Sequence, residues 1–262
     1  MDQDRHSQPT RMLIMQLFHY VELKLQNKSN CTDSINEEHT EDRVQPLSQG
    51  RHKRSVAYAD YLWENASTLK ISFTHDVPLD LRDRIERIIR QWEPYVSLAF
   101  EIVADDKGEI RIAVGGKDSY STMGTEALTI DADLATLCIG VEPDNFDFER
   151  TLLHEFGHAL GFHHAHLHPQ ANIPWNKPVV YNFFKTNFGW TKAQVNLNLF
   201  DVDPTQTLSF GKYDKDSVMH YHVPAFMTLS NWQTKINTTL SEGDKLFASQ
   251  TYPPINYREL PI

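Results

Sequence analysis

Apolar and polar residues follow clear periodic patterns from residue 57 to about residue 160. Five short runs are either alternating or continuously apolar, which is typical of β-strands. These runs comprise residues 69–73, 98–103, 109–114, 128–130 and 137–139. Between the first two, apolar side chains at helical spacing predict a helix over residues 81–93, with Asp80 as its N-cap residue.

Two further helices are predicted in the second half of the chain. One covers residues 148–160, and the other covers residues 241–250 and opens with the capping signature Ser241-Glu242-Gly243-Asp244. The sequence between them contains Pro and Asn and shows little periodicity, which predicts long loops. The order of elements favours an α+β fold: a twisted sheet of about five strands with two helices behind it, over a loop-rich half that ends in a helix.

Charge and composition exclude several classes of function. The chain has 262 residues and a formal net charge of −10, which argues against nucleic acid as its partner. No apolar stretch approaches the roughly 18 residues of a membrane-spanning helix. Two cysteines, Cys31 and Cys138, cannot form a disulfide scaffold. We expect no bridge between them, and we expect Cys138 to be a small core residue.

Residues 1–54 differ from the rest of the chain and are predicted to be an N-terminal extension, either a pro-segment or disordered; residues 55–262 form the main domain. The apolar run 12–18 faintly resembles a signal-peptide core, but it is short, is interrupted by Gln16 and is followed by no small-residue cleavage site; a helix packed on the domain is the alternative. The basic tetrad Arg51-His52-Lys53-Arg54 is either a processing site that releases Ser55 or a solvated charge run.

The helix at 148–160 carries the most informative motif. His154 and His158 are four residues apart, so both imidazoles leave the same helix face and can bind one ion. Glu155 lies beside them and can accept a proton from a metal-bound water. Gly161 permits a left-handed turn, after which His164 can become the third nitrogen ligand. Three imidazoles leave a fourth position for water, the arrangement of a catalytic zinc site.

The segment His154–His164 matches the metzincin motif H-E-x-x-H-x-x-G-x-x-H of zinc metallopeptidases at every fixed position. Ser217-Val218-Met219-His220-Tyr221 resembles the Met-turn of that family, and the surrounding sequence resembles bacterial astacin-like peptidases over about residues 57–253. The resemblance implies a mostly parallel five-stranded sheet, one Zn²⁺ per chain in a cleft, Met219 beneath the metal, and Tyr221 as a transition-state stabiliser. It also implies hydrolysis of internal peptide bonds in a protein or peptide substrate.

Some features depart from that family or leave alternatives open. Ala165 stands where astacins have the Glu that anchors the mature N-terminus, and the astacin disulfide pairs are missing. The resemblance favours an extracellular location, although no clear signal peptide is present, and a monomer is favoured. His163 is an alternative third ligand, Tyr221 could be a packed aromatic, and the 127–130 strand could bind extended substrate or be an ordinary edge. His163, His166 and His168 are otherwise expected to support the site or to face solvent.

The alternative function is a zinc-binding but non-catalytic adhesion or decoy protein. The intact Glu155 argues against it, because a non-catalytic relative needs no carboxylate at that position. A latent zymogen in which residues 1–54 cover the cleft is compatible with catalysis.

Overall fold

The computed structural model describes residues 57–74, 77–104, 107–201, 207–208 and 212–254. The interpretations of the apolar run 12–18 and of the basic tetrad 51–54 fall outside these residues. No helix in the described ranges is long and apolar enough to span a membrane.

A five-stranded, mostly parallel sheet forms the upper half of the described chain. Its strands lie in the order β3-β2-β4-β6-β5, and only β5 runs antiparallel to its neighbour. The strands are β2 (Thr68–Phe73), β3 (Ala99–Ile102), β4 (Ile110–Val114), β5 (Tyr120–Ser121) and β6 (Leu137–Ile139). A separate two-stranded ladder pairs β1 (Ala57–Tyr58) with β7 (Thr207–Leu208). The interior strands β4 and β6 are buried almost throughout and are apolar except at Arg111, because both of their faces are covered.

Five α-helices surround this sheet in the described residues. They are α1 (Leu79–Ile89), α2 (Phe148–Ala159), α3 (Lys177–Phe188), α4 (Lys192–Val195) and α5 (Glu242–Thr251). The helix α1 buries only one face, which carries Ile85, Ile88 and Ile89. By contrast, α2 is buried on all sides except at Glu149, so it forms the centre of the molecule.

The core consists of two clusters of buried apolar side chains. The larger one joins the sheet, α1, α2 and part of α5. The smaller one, which we call the lower cluster, is built around α3 and contains Val180, Phe184, Trp190, Val195, Leu199, Tyr221 and Met227. A sheet with helices packed on it, over a helical and loop-rich lower half, is the α+β architecture that the sequence predicted.

Three predictions of secondary structure were wrong. Residues 128–130 form no strand: the first two end a 3₁₀ helix, Gly124–Thr129, and Ile130 is its C-cap, whereas the edge of the sheet is β5. A three-residue apolar run carries too little periodicity to separate these states. The helix α1 begins at Leu79, before Asp80, and its N-cap position is Pro78, which forms no side-chain cap.

The region predicted as long loops contains α3, α4 and a π-helical turn, Asn196–Phe200. Pro178 indicated a loop in the sequence, but it lies in the first turn of α3, where the missing N–H costs nothing. Gly189 ends α3 with a φ of 71°. The apolar face of α3 packs against aromatic residues that are distant in sequence, and periodicity alone does not reveal such contacts.

Cys138 is buried in the core as expected, but it is disulfide-bonded, which contradicts the expectation of no bridge. The other cysteine of the chain, Cys31, lies outside the described residues. Separation along the sequence says little about proximity in the fold, which is why the expectation was wrong.

The helix α2 approaches the predicted Met-turn most closely at Gly157. A Cβ atom at this position would overlap the Sδ atom of Met219 and would lie 3.3 Å from the ring of Trp92. Glycine in a helix interior costs about 1 kcal/mol relative to alanine. Here the missing side chain lets Met219 pack directly on the helix backbone.

We therefore expect Gly157→Ala to destabilise the protein, by about 1–3 kcal/mol, because overpacking outweighs the gain in helix propensity. In a Met219→Ala background the same substitution should become neutral or stabilising, by up to about 1 kcal/mol. Urea unfolding at one fixed zinc concentration measures both values. A stabilising effect of Gly157→Ala with Met219 in place would contradict this packing.

Candidate metal centre

Three histidine side chains converge at the C-terminal end of α2. The Nε2 atom of His158 lies 3.1 Å from Nε2 of His154 and 3.0 Å from Nε2 of His164. One nitrogen from each ring falls within 4.8 Å of the others. Four-coordinate zinc with bonds of about 2.0–2.1 Å separates its nitrogen ligands by roughly 3.3 Å, so the three rings are placed to share one ion.

The end of α2 brings the third histidine back toward the first two. Gly161 has a φ of 88°, and its N–H donates to the carbonyl of His158 at 2.8 Å. The N–H of Phe162 donates to the carbonyl of Gly157 at 2.9 Å. This pair of bonds is a Schellman motif, which reverses the chain direction just after a helix. His164 consequently lies beside the preceding helical turn.

Backbone carbonyls orient two of the imidazoles. Nδ1 of His154 lies 2.8 Å from the carbonyl oxygen of Val218, and Nδ1 of His158 lies 2.6 Å from that of Phe162. Because a carbonyl oxygen only accepts, both Nδ1 atoms carry the proton and both Nε2 atoms present a lone pair. Metal-binding histidines are oriented in this way in general.

Burial favours the neutral form of these rings. It lowers the pKa of His154 and of His164 well below the usual value, and the neighbouring imidazoles lower it further. Neutral imidazole is the form that binds a metal ion. The protonation state and the direction of the lone pairs therefore both fit zinc.

Glu155 lies within the same buried region and has an unusual environment. Its side chain is fully buried, and neither carboxylate oxygen has a hydrogen-bond partner among the described residues. Burial raises its pKa well above the usual range. A buried carboxylate without a partner is costly, so its presence indicates a partner outside the described residues, such as water at a metal ion.

Tyr221 completes the buried group around the histidines. Its ring centroid lies 4.1 Å from that of His164 and 6.2 Å from that of His154. Burial raises the pKa of its hydroxyl well above the usual value, and the charge of Glu155 acts in the same direction. Tyr221 is therefore a neutral hydroxyl donor close to both the histidines and the carboxylate.

The turn around Met219 is bound to both parts of the histidine site. The N–H of Ala165, next to His164, donates to the carbonyl of Met219 at 2.9 Å. The preceding residue, Val218, accepts from His154 as described above. Met219 itself is buried and packs against α2 at Gly157.

Asp244 fixes this turn from the last helix. One of its oxygens accepts from the N–H of Val218 at 2.8 Å and from the N–H of Ser241 at 2.9 Å. The other accepts from the hydroxyl of Ser217. In the sequence Asp244 was recognised only as part of the capping box, which the structure contains. No local pattern indicates that the same carboxylate also reaches a turn about 26 residues earlier.

The other histidines of the region have separate partners. His163 accepts the N–H of His164 through Nδ1 at 2.7 Å, and it is His164 that converges with His154 and His158. His220 donates through Nδ1 to the carbonyl of Tyr221 at 2.6 Å, and its Nε2 lies 2.8 Å from the hydroxyl of Tyr213. The sequence analysis did not identify Tyr213 as part of the site.

Ala165 lines a cavity of about 820 Å³ on the far side of the Met219 turn. The cavity also borders Trp92, His163, Asp214 and the first turn of α5. The position at which this sequence departs from astacins therefore borders a cavity as well as the apolar core.

Comparison with known proteins identifies the relatives of this arrangement. The chain is 27% identical to the zinc metalloproteinase nas-26 of Caenorhabditis elegans over 187 residues, which is 67% of this chain and 40% of that protein. The chain thus spans less than half the length of this curated relative. A solved structure of myroilysin matches with a TM-score of 0.71 and 33% identity, covering 76% of this chain and 99% of the other.

A second solved structure supports the fold alone. High choriolytic enzyme 1, a hatching enzyme zinc-protease from Oryzias latipes (medaka), matches with a TM-score of 0.53 at 15% identity, covering 77% of this chain and 98% of its own.

A family-level match covers most of the chain. The family described as Astacin (Peptidase family M12A) matches residues 55–249. This match confirms the metzincin-like fold, the zinc cofactor and the metallopeptidase class that the motif predicted. The chain belongs to the astacin family of zinc metallopeptidases.

Proposed function

We propose that this chain hydrolyses internal peptide bonds of proteins or peptides, with His154, His158 and His164 as zinc ligands and Glu155 as the general base. The observation that carries the proposal is the fully buried Glu155 carboxylate, without a partner in the described residues, beside three converging imidazole nitrogens. A zinc ion bound there supplies Lewis-acid polarisation and lowers the pKa of a water molecule to about 7.

Glu155 has the properties that the proton transfers require. It is fully buried, and its raised pKa makes the carboxylate a stronger base than an exposed one. In our proposal it accepts a proton from the attacking water and delivers that proton to the leaving amine. Tyr221, a neutral donor near Glu155, donates a hydrogen bond to the oxyanion that develops on the scissile carbonyl.

The edge strand β5 offers a way to hold an extended substrate. It pairs with β6 on one side, and in the described residues no strand pairs with its other side. An added peptide strand would be held through main-chain hydrogen bonds, with little dependence on its side chains. A peptide bound in this mode can extend beyond the site at both of its ends, which supports cleavage of internal bonds. The expectation that residues 127–130 serve as this edge is replaced by Tyr120–Ser121.

We expect Glu155→Gln to lower the hydrolysis of casein by about 10²–10⁴-fold, because the amide cannot accept the proton. The variant should retain one zinc per chain, since Glu155 is not a ligand. His164→Ala should lose both zinc and activity, whereas His163→Asn should keep both. Activity and zinc content are measured on the same purified samples.

Two results would contradict the proposal. Full activity of Glu155→Gln would remove Glu155 from the mechanism. Zinc binding without hydrolysis by the wild type, also after removal of residues 1–54, would favour the non-catalytic adhesion or decoy protein.

We further propose that residues 1–54 are a pro-segment and that the protein acts outside the cell, as members of its family generally do. Two observations support the first part. The family match begins at residue 55, directly after the basic tetrad. Ala57 is fully buried and forms an antiparallel bridge with Phe162, two residues before His164. Ala57, three residues after the tetrad, thus lies beside the segment that carries the third histidine.

If this is correct, a chain that begins at Ser55 should hydrolyse casein faster than the full chain at equal zinc occupancy. Cleavage of the full chain after Arg54 should produce the same rise in rate. A full chain with Arg54→Ala, incubated with the same processing protease, serves as the control and should stay slow. Equal rates before and after removal of residues 1–54 would contradict the proposal.

A further inference from the structure

The ring of Tyr221 is held by two histidine rings. The ring of His166 stacks on it, with centroids 4.4 Å apart and an angle of 20° between the planes. The ring of His164 lies 4.1 Å away at 42°. The centroids of the two histidines are 5.4 Å apart, so they contact Tyr221 from adjoining sides. His166 therefore forms one wall of the slot that contains the tyrosine ring.

The ring of His166 is fixed by Asn198, which lies on a segment separate from the three histidines of the metal centre. Its side chain is 3% exposed, and its Nε2 lies 3.1 Å from the carbonyl oxygen of Asn198. Since a carbonyl only accepts, Nε2 donates this bond, which sets the plane of the imidazole. Asn198 belongs to the π-helical turn Asn196–Phe200, an uncommon element that is often found near functional sites.

Hydrogen bonds and apolar packing fix the π-helical turn that carries Asn198. The side-chain amide of Asn198 donates to the carbonyl of Gln194 at 2.8 Å, and the N–H of Asp201 donates to the carbonyl of Asn196 at 2.8 Å. Leu199 of the same turn is buried in the lower cluster, which also contains Tyr221. The turn and the tyrosine consequently belong to one packed unit.

His166 also shares a short element with the third histidine of the site. A 3₁₀ helix, Ala165–Leu167, follows His164 directly, so His164 and His166 are held by one turn of chain. The backbone of Tyr221 is fixed separately, through its carbonyl and His220. The rings that pack on the phenol ring also constrain its direction, and His166 is more nearly parallel to it than His164 is, at 20° against 42°.

We propose that His166 is a positioning residue for Tyr221: it holds the phenol ring in the orientation that directs the hydroxyl at the oxyanion. This inference rests on the proposed function, in which Tyr221 donates to the transition state. Stacking on Tyr221 explains why an aromatic ring serves better here than an aliphatic residue, and the donated Nε2 bond adds to the fixation of the ring plane.

The coupling between His166 and Tyr221 is tested by steady-state hydrolysis of a peptide substrate. The enzyme is expressed as the full chain, cleaved to remove residues 1–54 and loaded with zinc. His166→Ala should lower kcat by about tenfold or more, with KM nearly unchanged, since misplacement of a group that acts in the transition state affects kcat. His166→Phe keeps the stacked ring and should retain most of the activity. In a Tyr221→Phe background, His166→Ala should cause no further loss.

A merely structural role would give a different pattern. His166→Ala would then lower the activity by the same factor with Tyr221 and with Phe at position 221, and this outcome would overturn the proposal. Zinc content is measured on every variant, and all of them should retain one zinc per chain.

A second readout does not depend on activity. In protein labelled with 3-fluorotyrosine, the ¹⁹F signal that disappears in Tyr221→Phe belongs to Tyr221. His166→Ala should shift and broaden this signal, and His166→Phe should largely restore it. An unchanged signal in His166→Ala would overturn the positioning role. If the wild type fails to hydrolyse any peptide, the proposed function fails, while the ¹⁹F signal still decides whether His166 holds the ring.

Discussion

The backbone of Val218 connects the parts of the molecule on which the site depends. Its N–H donates to Asp244 on the last helix, and its carbonyl accepts from Nδ1 of His154 on the central helix. A hydrogen bond from Ala165 to Met219, the next residue, adds the segment that carries His164. If the turn moved, His154 would lose the acceptor that fixes its tautomer and the direction of its lone pair.

The interior around this turn contains buried polar groups, and burying them lowers the stability of the folded state. The neutral imidazoles of His154 and His158 and the carboxylate of Glu155, which has no hydrogen-bond partner in the described residues, are buried together on α2. Each such group costs free energy when it is desolvated without a hydrogen bond. The apolar packing on all sides of α2 offsets this cost, and a bound metal ion with its water would remove much of it. Sites that violate the rules of core composition in this way are usually functional.

Local signals in the sequence explain the parts of the structure that could be predicted from it. The four-residue spacing of His154 and His158 and the glycine at 161 are properties of one helix and its end, so they were visible in a single segment. The strands in the first half of the domain and the capping box of α5 were visible for the same reason. The family resemblance added the mostly parallel sheet and the zinc cofactor.

The features that could not be predicted depend on contacts between distant segments. The carboxylate of Asp244 acts on Val218, and the carbonyl of Asn198 acts on His166, without any regular spacing in sequence. The packing that stabilises α3 comes from residues in several other segments, so the sequence of α3 itself shows only weak helical periodicity. The 13 residues between the strand candidates 109–114 and 128–130 likewise did not show that the sheet edge lies at Tyr120–Ser121.

The zinc affinity of Asp244→Asn tests the central role of the Val218 backbone most directly. The control is Glu242→Gln, which lies on the same turn of α5 but is exposed. Competition with a chromophoric chelator, on samples whose circular dichroism shows an intact fold, gives the dissociation constants. The account predicts zinc binding weaker by about 10–100-fold in Asp244→Asn and unchanged in Glu242→Gln. Wild-type affinity in a folded Asp244→Asn variant would contradict it.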